Sequence, residues 1–165
     1  MRKIAAVSLF LLTVTGVAQN PPLPATFIPN SDIQSFIDAL PRNAVSDKPI
    51  RSVDVGGYHV AVFGVFRPKS VAQEANRHDT KVTEIYYILD GNATLVTGGQ
   101  LVSPTRNGDN LTGTAIQGGT SQKMSKGDFM LIPQGVPHWI TNVQGSFTPM
   151  TLHLPMTSQD AKSGQ

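Results

Sequence analysis

The chain has 165 residues, enough for one domain with its own apolar core. It carries 13 Lys and Arg against 11 Asp and Glu, in no basic patch or run, which argues against a nucleic-acid partner. Cysteine is absent, so disulfides, thiolate nucleophiles and thiolate metal ligands are excluded.

The first segment, MRKIAAVSLFLLTVTGVAQNPP, has the three parts of an export signal. Arg2 and Lys3 give a positive start, and Ile4 to Val14 an apolar core. Gly16-Val17-Ala18 supplies the small residues that a signal peptidase reads. The apolar run falls short of the ~20 residues of a spanning helix. The expectation is a signal peptide over residues 1–18, cleaved after about Ala18. The mature protein is then secreted or periplasmic, with no membrane attachment. Removing that segment leaves 11 basic against 11 acidic residues, a charge near zero.

Residues 19–49 read as a Pro-rich arm and a short helix. NPPLPATFIPN carries four prolines and reads as extended chain. SDIQSFIDALP predicts an amphipathic helix over 32–40, with Ser31 as its N-cap, a stripe of Ile33, Phe36, Ile37 and Leu40, and Pro41 as its stop. Residues 50–157 read as strands. IRSVDV, Gly56-Gly57 and YHVAVFGVFRP predict a hairpin. VTEIYYIL, ATLVTGG, TAIQGG, GDFMLIP, HWITNV and FTPMTLHLP are further short β-branched or aromatic runs between turn residues. Residues 100–123, polar and Gly-rich, are expected to be a loop carrying one short strand, and 158–165 a polar tail. Many short strands with regular turns predict an all-β sandwich or barrel. In TEIYYILDG, alternation places Glu84, Tyr86 and Ile88 on one face and Ile85, Tyr87 and Leu89 on the other. Both faces are apolar, so the strand needs cover on both sides. A helix, the arm or a second subunit could supply it, a mild argument for a homodimer.

Two segments carry the chemistry, HDTKVTEIYYILDG (78–91) and GDFMLIPQGVPHWITN (127–142). On a continuous strand His78 and Glu84 would lie about 20 Å apart at ~3.3 Å per residue, too far to share a metal. Either the pair has nothing to do with metal or the chain turns between them, and Asp79, Thr80 and Lys81 suit a turn. Pro133-Gln-Gly135-Val-Pro137 is a second turn, which delivers His138 at the start of a strand. Two imidazoles and one carboxylate suit iron(II) or manganese, and zinc would accept them too. Spacing alone leaves open whether the three converge.

These segments resemble the paired motifs of the cupin superfamily. The second motif there is glycine, five residues, proline, one residue, glycine, two residues, histidine, three residues, asparagine. Gly127, Pro133, Gly135, His138 and Asn142 match it without departure. The first motif is a histidine, any residue, a second histidine, three or four residues, glutamate, six residues, glycine. Here it reads His78, Thr80, Glu84 and Gly91, with threonine in place of the second histidine. Motifs and flanking strands cover about residues 50–155. The resemblance implies an all-β fold, an antiparallel double-stranded β-helix (the jelly-roll barrel of cupins), here with a short N-terminal helix. It implies His78, Glu84 and His138 as ligands of a divalent metal, Mn, Fe or Zn. Thr80 cannot be carried over as a ligand, although its hydroxyl could hold a metal-bound water. In the longer spacing the histidine positions fall on Arg77, which cannot ligate, and on Asp79, which could add a carboxylate.

Tyr86 shares Glu84's face, as a pocket phenol or a core aromatic. Asn142 shares His138's face by alternation, as a pocket group or a structural hydrogen bond. His59 and His153 lie in predicted strands and either line the barrel or serve structure or solvent. NAT (92–94) and NLT (110–112) fit glycosylation acceptors. No nucleophile, dinucleotide or Walker motif is found. The leading expectation is an exported metal-binding cupin that acts on or binds a small molecule. Oxygenase, decarboxylase, isomerase and lyase chemistries all occur in proteins it resembles. The alternative is a metal-free, non-catalytic ligand-binding module, and a third reading is a storage role.

Overall fold

A computed structural model describes residues 24–55, 58–79 and 82–155. The expected signal peptide at 1–18, Gly56-Gly57, Thr80 and the tail at 158–165 lie outside these residues.

Helix α1 spans Asn30–Asp38. It starts before the expected Ser31 cap, because Pro29 already occupies the N-cap position with an extended ψ of 145°. The Pro29 carbonyl accepts the Asp32 and Ile33 amides at 3.1 and 3.3 Å, so Ser31 falls inside the first turn. Arg42 closes the other end, donating to the Ile37 carbonyl and the Asp38 carboxylate, both at 3.1 Å. The predicted stripe faces inward: Ile37 and Leu40 are buried with Phe66, and Ile33, Phe36 and Leu89 pack around them.

The helix lies on strand β2 (His59–Pro68), which pairs with the edge strand β1 (Ser46–Asp54) from Asp54↔His59 to Ser46↔Phe66. Pro49 sits in β1, and the register slips between it and Arg51, as an edge strand tolerates. A side chain at Gly64 would stand 2.7 Å from Ile37 Cδ1 and 2.9 Å from Phe36 Cδ1, so glycine lets the helix seat on the strand.

Two long antiparallel strands frame the barrel, β4 (Val82–Thr97) and β11 (His138–Pro155). They pair from Val82↔Pro155 to Thr97↔His138. Both bend midway. Gly91 adopts φ +84°, where a Cβ would meet the Ser146 carbonyl oxygen at 2.1 Å. Opposite it the ladder slips between Thr141 and Gln144 and again before Phe147. Strand β9 (Thr120–Met124) flanks the second half of β4, and β10 (Phe129–Ile132) the first half. Strand β2 pairs with the C-terminal part of β11, and β3 (Ala75–His78) meets its start at Asn76↔His138. All pairings are antiparallel, and the double-stranded β-helix expected from the sequence is what forms. Its interior holds Tyr86, Ile88, Leu95, Ile132, Ile140 and Phe147.

Residues 100–123 depart from the expectation of a loop with a single strand. They form β5 (Gln100–Val102), β6 (Thr105–Asn107), β7 (Asn110–Gly113), β8 (Ala115–Gln117) and the start of β9. β6 and β7 make a tight hairpin at Asn107↔Asn110, and β7 zips along β3 from Ala75↔Gly113 to His78↔Asn110. Mostly polar side chains and short lengths of three to five residues hid these strands. The two-residue loop is Gly108-Asp109, with Gly108 at a φ of +59°, and that Gly-Asp pair is the hairpin signal.

Alternation in β4 holds. Glu84, Tyr86 and Ile88 are buried inside, and Leu89 is covered by α1. Tyr87 stays exposed beside Phe129 and Leu131 of β10. No helix among the described residues is long and apolar enough to cross a membrane.

Candidate metal centre

Glu84 lies near the start of β4, with its carboxylate inside the barrel and almost wholly buried. β3 ends at His78 and β4 begins at Val82. The chain therefore returns on itself as the distance argument requires, and His78 Nε2 comes 3.0 Å from Glu84 Oε1. The turn at 133–137 closes with Val136 N–H on the Pro133 carbonyl at 3.2 Å and launches β11 at His138. His138 Nε2 reaches 3.2 Å from Glu84 Oε2. The donor atoms of His78, Glu84 and His138 all lie within 4.8 Å of one another.

The outer nitrogens fix the tautomers. His78 Nδ1 stands 2.6 Å from Asn110 Oδ1, and His138 Nδ1 stands 3.1 Å from the Val136 carbonyl. Both partners are acceptors, so each Nδ1 carries the proton. A neutral His138 ring then aims its Nε2 lone pair at the carboxylate. Burial holds His138 below the usual imidazole range against the pull of Glu84, so it stays neutral. Burial also acts to lower His78, but the Glu84 hydrogen bond and charge outweigh it and raise that ring. Burial alone would raise Glu84. Hydrogen bonds from His153 and His78 overcome it and hold the carboxyl well below the usual range. Glu84 Oε2 is buried with no hydrogen-bond partner, although His138 Nε2 faces it. A lone pair opposite an unpaired buried carboxylate oxygen is repulsive unless a cation stands between them. The donors present therefore fit a divalent metal, and nitrogen-rich ligation favours a first-row transition ion over Ca²⁺ or Mg²⁺.

The other candidates divide. Tyr86 is buried against the site, its ring edge-on to His138 at 6.3 Å, and burial followed by the Glu84 charge pushes its phenol well up. His153 is opposite Glu84 in the ladder, and its Nε2 lies 2.7 Å from Oε1. His59 is exposed at the hairpin end of β2 and does not line the cavity. Asn142 is also outside it: φ is +51° at the β11 slip, which breaks alternation and turns the side chain outward. That side chain reaches Thr94 Oγ1 at 3.5 Å, a structural contact. Asp79 supplies no ligand. Arg77 and Arg106 hold its carboxylate at 2.9 and 2.8 Å and keep it below its usual range.

Two contributors escaped the sequence. Asn110, part of a glycosylation pattern there, is the acceptor that orients His78. Arg67 lines the cavity, its side chain only 11% exposed, with Nη2 on Asp47 at 3.0 Å and Nη1 on the Ser46 carbonyl at 3.2 Å. Its signal was an arginine in register with Phe63 in an otherwise apolar strand run. The cavity above the cluster measures about 520 Å³, with Phe63, Arg67, Gln73 and Asn76 among its walls.

The Cupin family model matches residues 60–153, more than half of the sequence, and the chain belongs to the cupin family. Among solved structures, it is similar to TT1209 from Thermus thermophilus, at 15% identity and TM-score 0.50 over 72% of this chain and 93% of that one. It is similar as well to BH2720 from Bacillus halodurans, at 14% identity and TM-score 0.51 over 81% and 84% of the two chains. These likenesses concern the fold alone. No curated protein matches the chain.

Proposed function

We propose that this cupin binds a divalent metal through His78, Glu84 and His138 and takes a small polar molecule into the cavity above it. The observation that carries the reading is the unpaired, buried Oε2 of Glu84, faced by an imidazole whose proton is committed elsewhere. A volume of about 520 Å³ suits a small ligand. Among the described lining residues Arg67 is the only Lys or Arg, a fixed cation suited to a carboxylate or another oxygen-rich group. Bound metal would supply Lewis-acid polarisation of such a ligand. Mn, Fe and Zn all accept this ligand set, so the donors do not choose among these ions.

Elemental analysis of untagged protein tests the reading. About one metal per chain, lost in His138→Ala, supports it. Protein that stays metal-free after growth with Fe, Mn and Zn sinks it and leaves the metal-free binding module. Export belongs to the same proposal, on the charge, length and small residues of the first 18 positions. N-terminal sequencing of protein recovered outside the cytoplasm should begin near Gln19. A homodimer would cover Tyr87, Phe129 and Leu131, which lie bare on the outer face of β4 and its edge neighbour β10. Light scattering should then show a dimer that Leu131→Lys dissociates.

A further inference from the structure

We propose that His153 is a fourth protein ligand of this metal, replacing the histidine that the first motif lacks at Thr80. The inference rests on the metal-binding reading above.

In the β4–β11 ladder His153 is the direct partner of Glu84. Directly opposed residues on antiparallel strands point to the same face, with Cβ atoms about 5 Å apart. The His153 side chain therefore enters the barrel beside the carboxylate. Its Nε2 makes the shortest of the three histidine contacts to Glu84, 2.7 Å against 3.0 and 3.2 Å. Phe63 stacks on its ring, with centroids 4.5 Å apart, which limits where the imidazole can swing. The ring of His78 is 5.8 Å from that of His153 and 5.2 Å from that of His138. Three imidazoles thus surround one carboxylate.

A different strand does the work of the lost residue. The family pattern puts its second histidine two positions beyond the first. Here β3 ends at His78, and the imidazole comes from the far end of β11 instead. Without metal, His153 Nε2–H donates to Glu84 Oε1. To bind, the ring takes up the neutral tautomer protonated at Nδ1, the proton moving from Nε2 to Nδ1 through solvent, and the freed Nε2 lone pair turns to the ion. His153 stands outside the group of three whose donor atoms lie within 4.8 Å of one another, so it must shift towards them to bind; its side chain is 27% exposed, against 6% for His138, which leaves it room to move and a path for its proton. A His₃Glu set then completes a tetrahedral protein shell for zinc, or leaves two open positions on a six-coordinate ion.

The alternative is that His153 only positions Glu84 by hydrogen bonding. Long-range ¹H–¹⁵N spectra of the full chain, labelled at histidine and loaded with Zn²⁺, separate the two, because a metal-bound ring nitrogen and a protonated one resonate apart. Three of the four imidazoles should show a metal-bound Nε2, with exposed His59 as the free reference. His153→Gln should remove one of those signals and weaken Zn²⁺ binding by at least ~10-fold. Two metal-bound imidazoles in the wild type, with His153 protonated at Nε2, would overturn the proposal and leave metal binding intact. No metal-bound imidazole at all would overturn both.

Discussion

Replacing Gly91 by alanine should cost more than the same change at either other glycine of the motifs. At Gly91 two effects combine. A φ of +84° is a left-handed conformation, worth about 1–2 kcal/mol against an L-residue. The new Cβ would also lie 2.1 Å from the Ser146 carbonyl oxygen and 3.0 Å from Phe147 Cα, both backbone atoms of the partner strand. Relieving that overlap means moving β11 away from β4, an overpacking cost of about 1–3 kcal/mol. At Gly127, φ is +90° but nothing lies within 4 Å of the added Cβ, so only the first effect applies. The expected losses are about 2–5 kcal/mol for Gly91→Ala and about 1–2 kcal/mol for Gly127→Ala. At roughly 3 °C per kcal/mol, Tm should fall by about 6–15 °C and about 3–6 °C respectively. The reduced freedom of the unfolded chain is the same for both variants and cancels. Thermal unfolding followed by fluorescence of Trp139, whose Nε1 is bonded to the Gln73 carbonyl at 2.8 Å, reads both. Equal drops would mean that the β4 bend does not depend on close approach of β11.

Three further outcomes follow from the site. Asn110→Ala removes the acceptor on His78 Nδ1 and should weaken metal binding by about 10–100-fold in chelator competition. Saturating the protein with metal at ~100 times its dissociation constant should raise stability by about 2.7 kcal/mol, and EDTA should reverse the gain in a thermal scan. In metal-free protein Glu84 is held below its unfolded value of about 4.3. Its contribution is present above that pH and is lost as pH falls below it. Denaturant midpoints from pH 5 to 3 should fall more steeply in the wild type than in Glu84→Gln, by up to ~1.4 kcal/mol per pH unit. Equal slopes would show that the carboxylate is not stabilised in the fold.

The two ends of the metal cluster were legible for different reasons. His138 stands in a motif whose proline and glycines fix the turn before it, so local chemistry alone delivers it to a strand end. Glu84 and His78 needed only the length of an extended chain to demand a turn. His153 had no such local signal, because its neighbours read as ordinary strand. Its placement comes from register, which pairs it with a residue almost seventy positions earlier in the chain. Asn110 was hidden in the same way, by a hairpin whose side chains are polar. Asn142 shows the reverse error: simple alternation fails where a strand slips. The helix, in contrast, was written in its own stripe, and its two ends moved by only two residues each.

Strand β11 carries a histidine at each end of its bent length, and β3 and β4 bring the other donors. A bound ion would therefore tie position 78 to position 138 and close a covalent-like ring through most of the barrel. By the loop-entropy reasoning used for disulfides, closing a ring of this size is worth about 4 kcal/mol. A chain with no cysteine would thus possess a removable cross-link. A chelator should then loosen the whole barrel, and amide protection should fall in β7 and β9 as well as around the carboxylate.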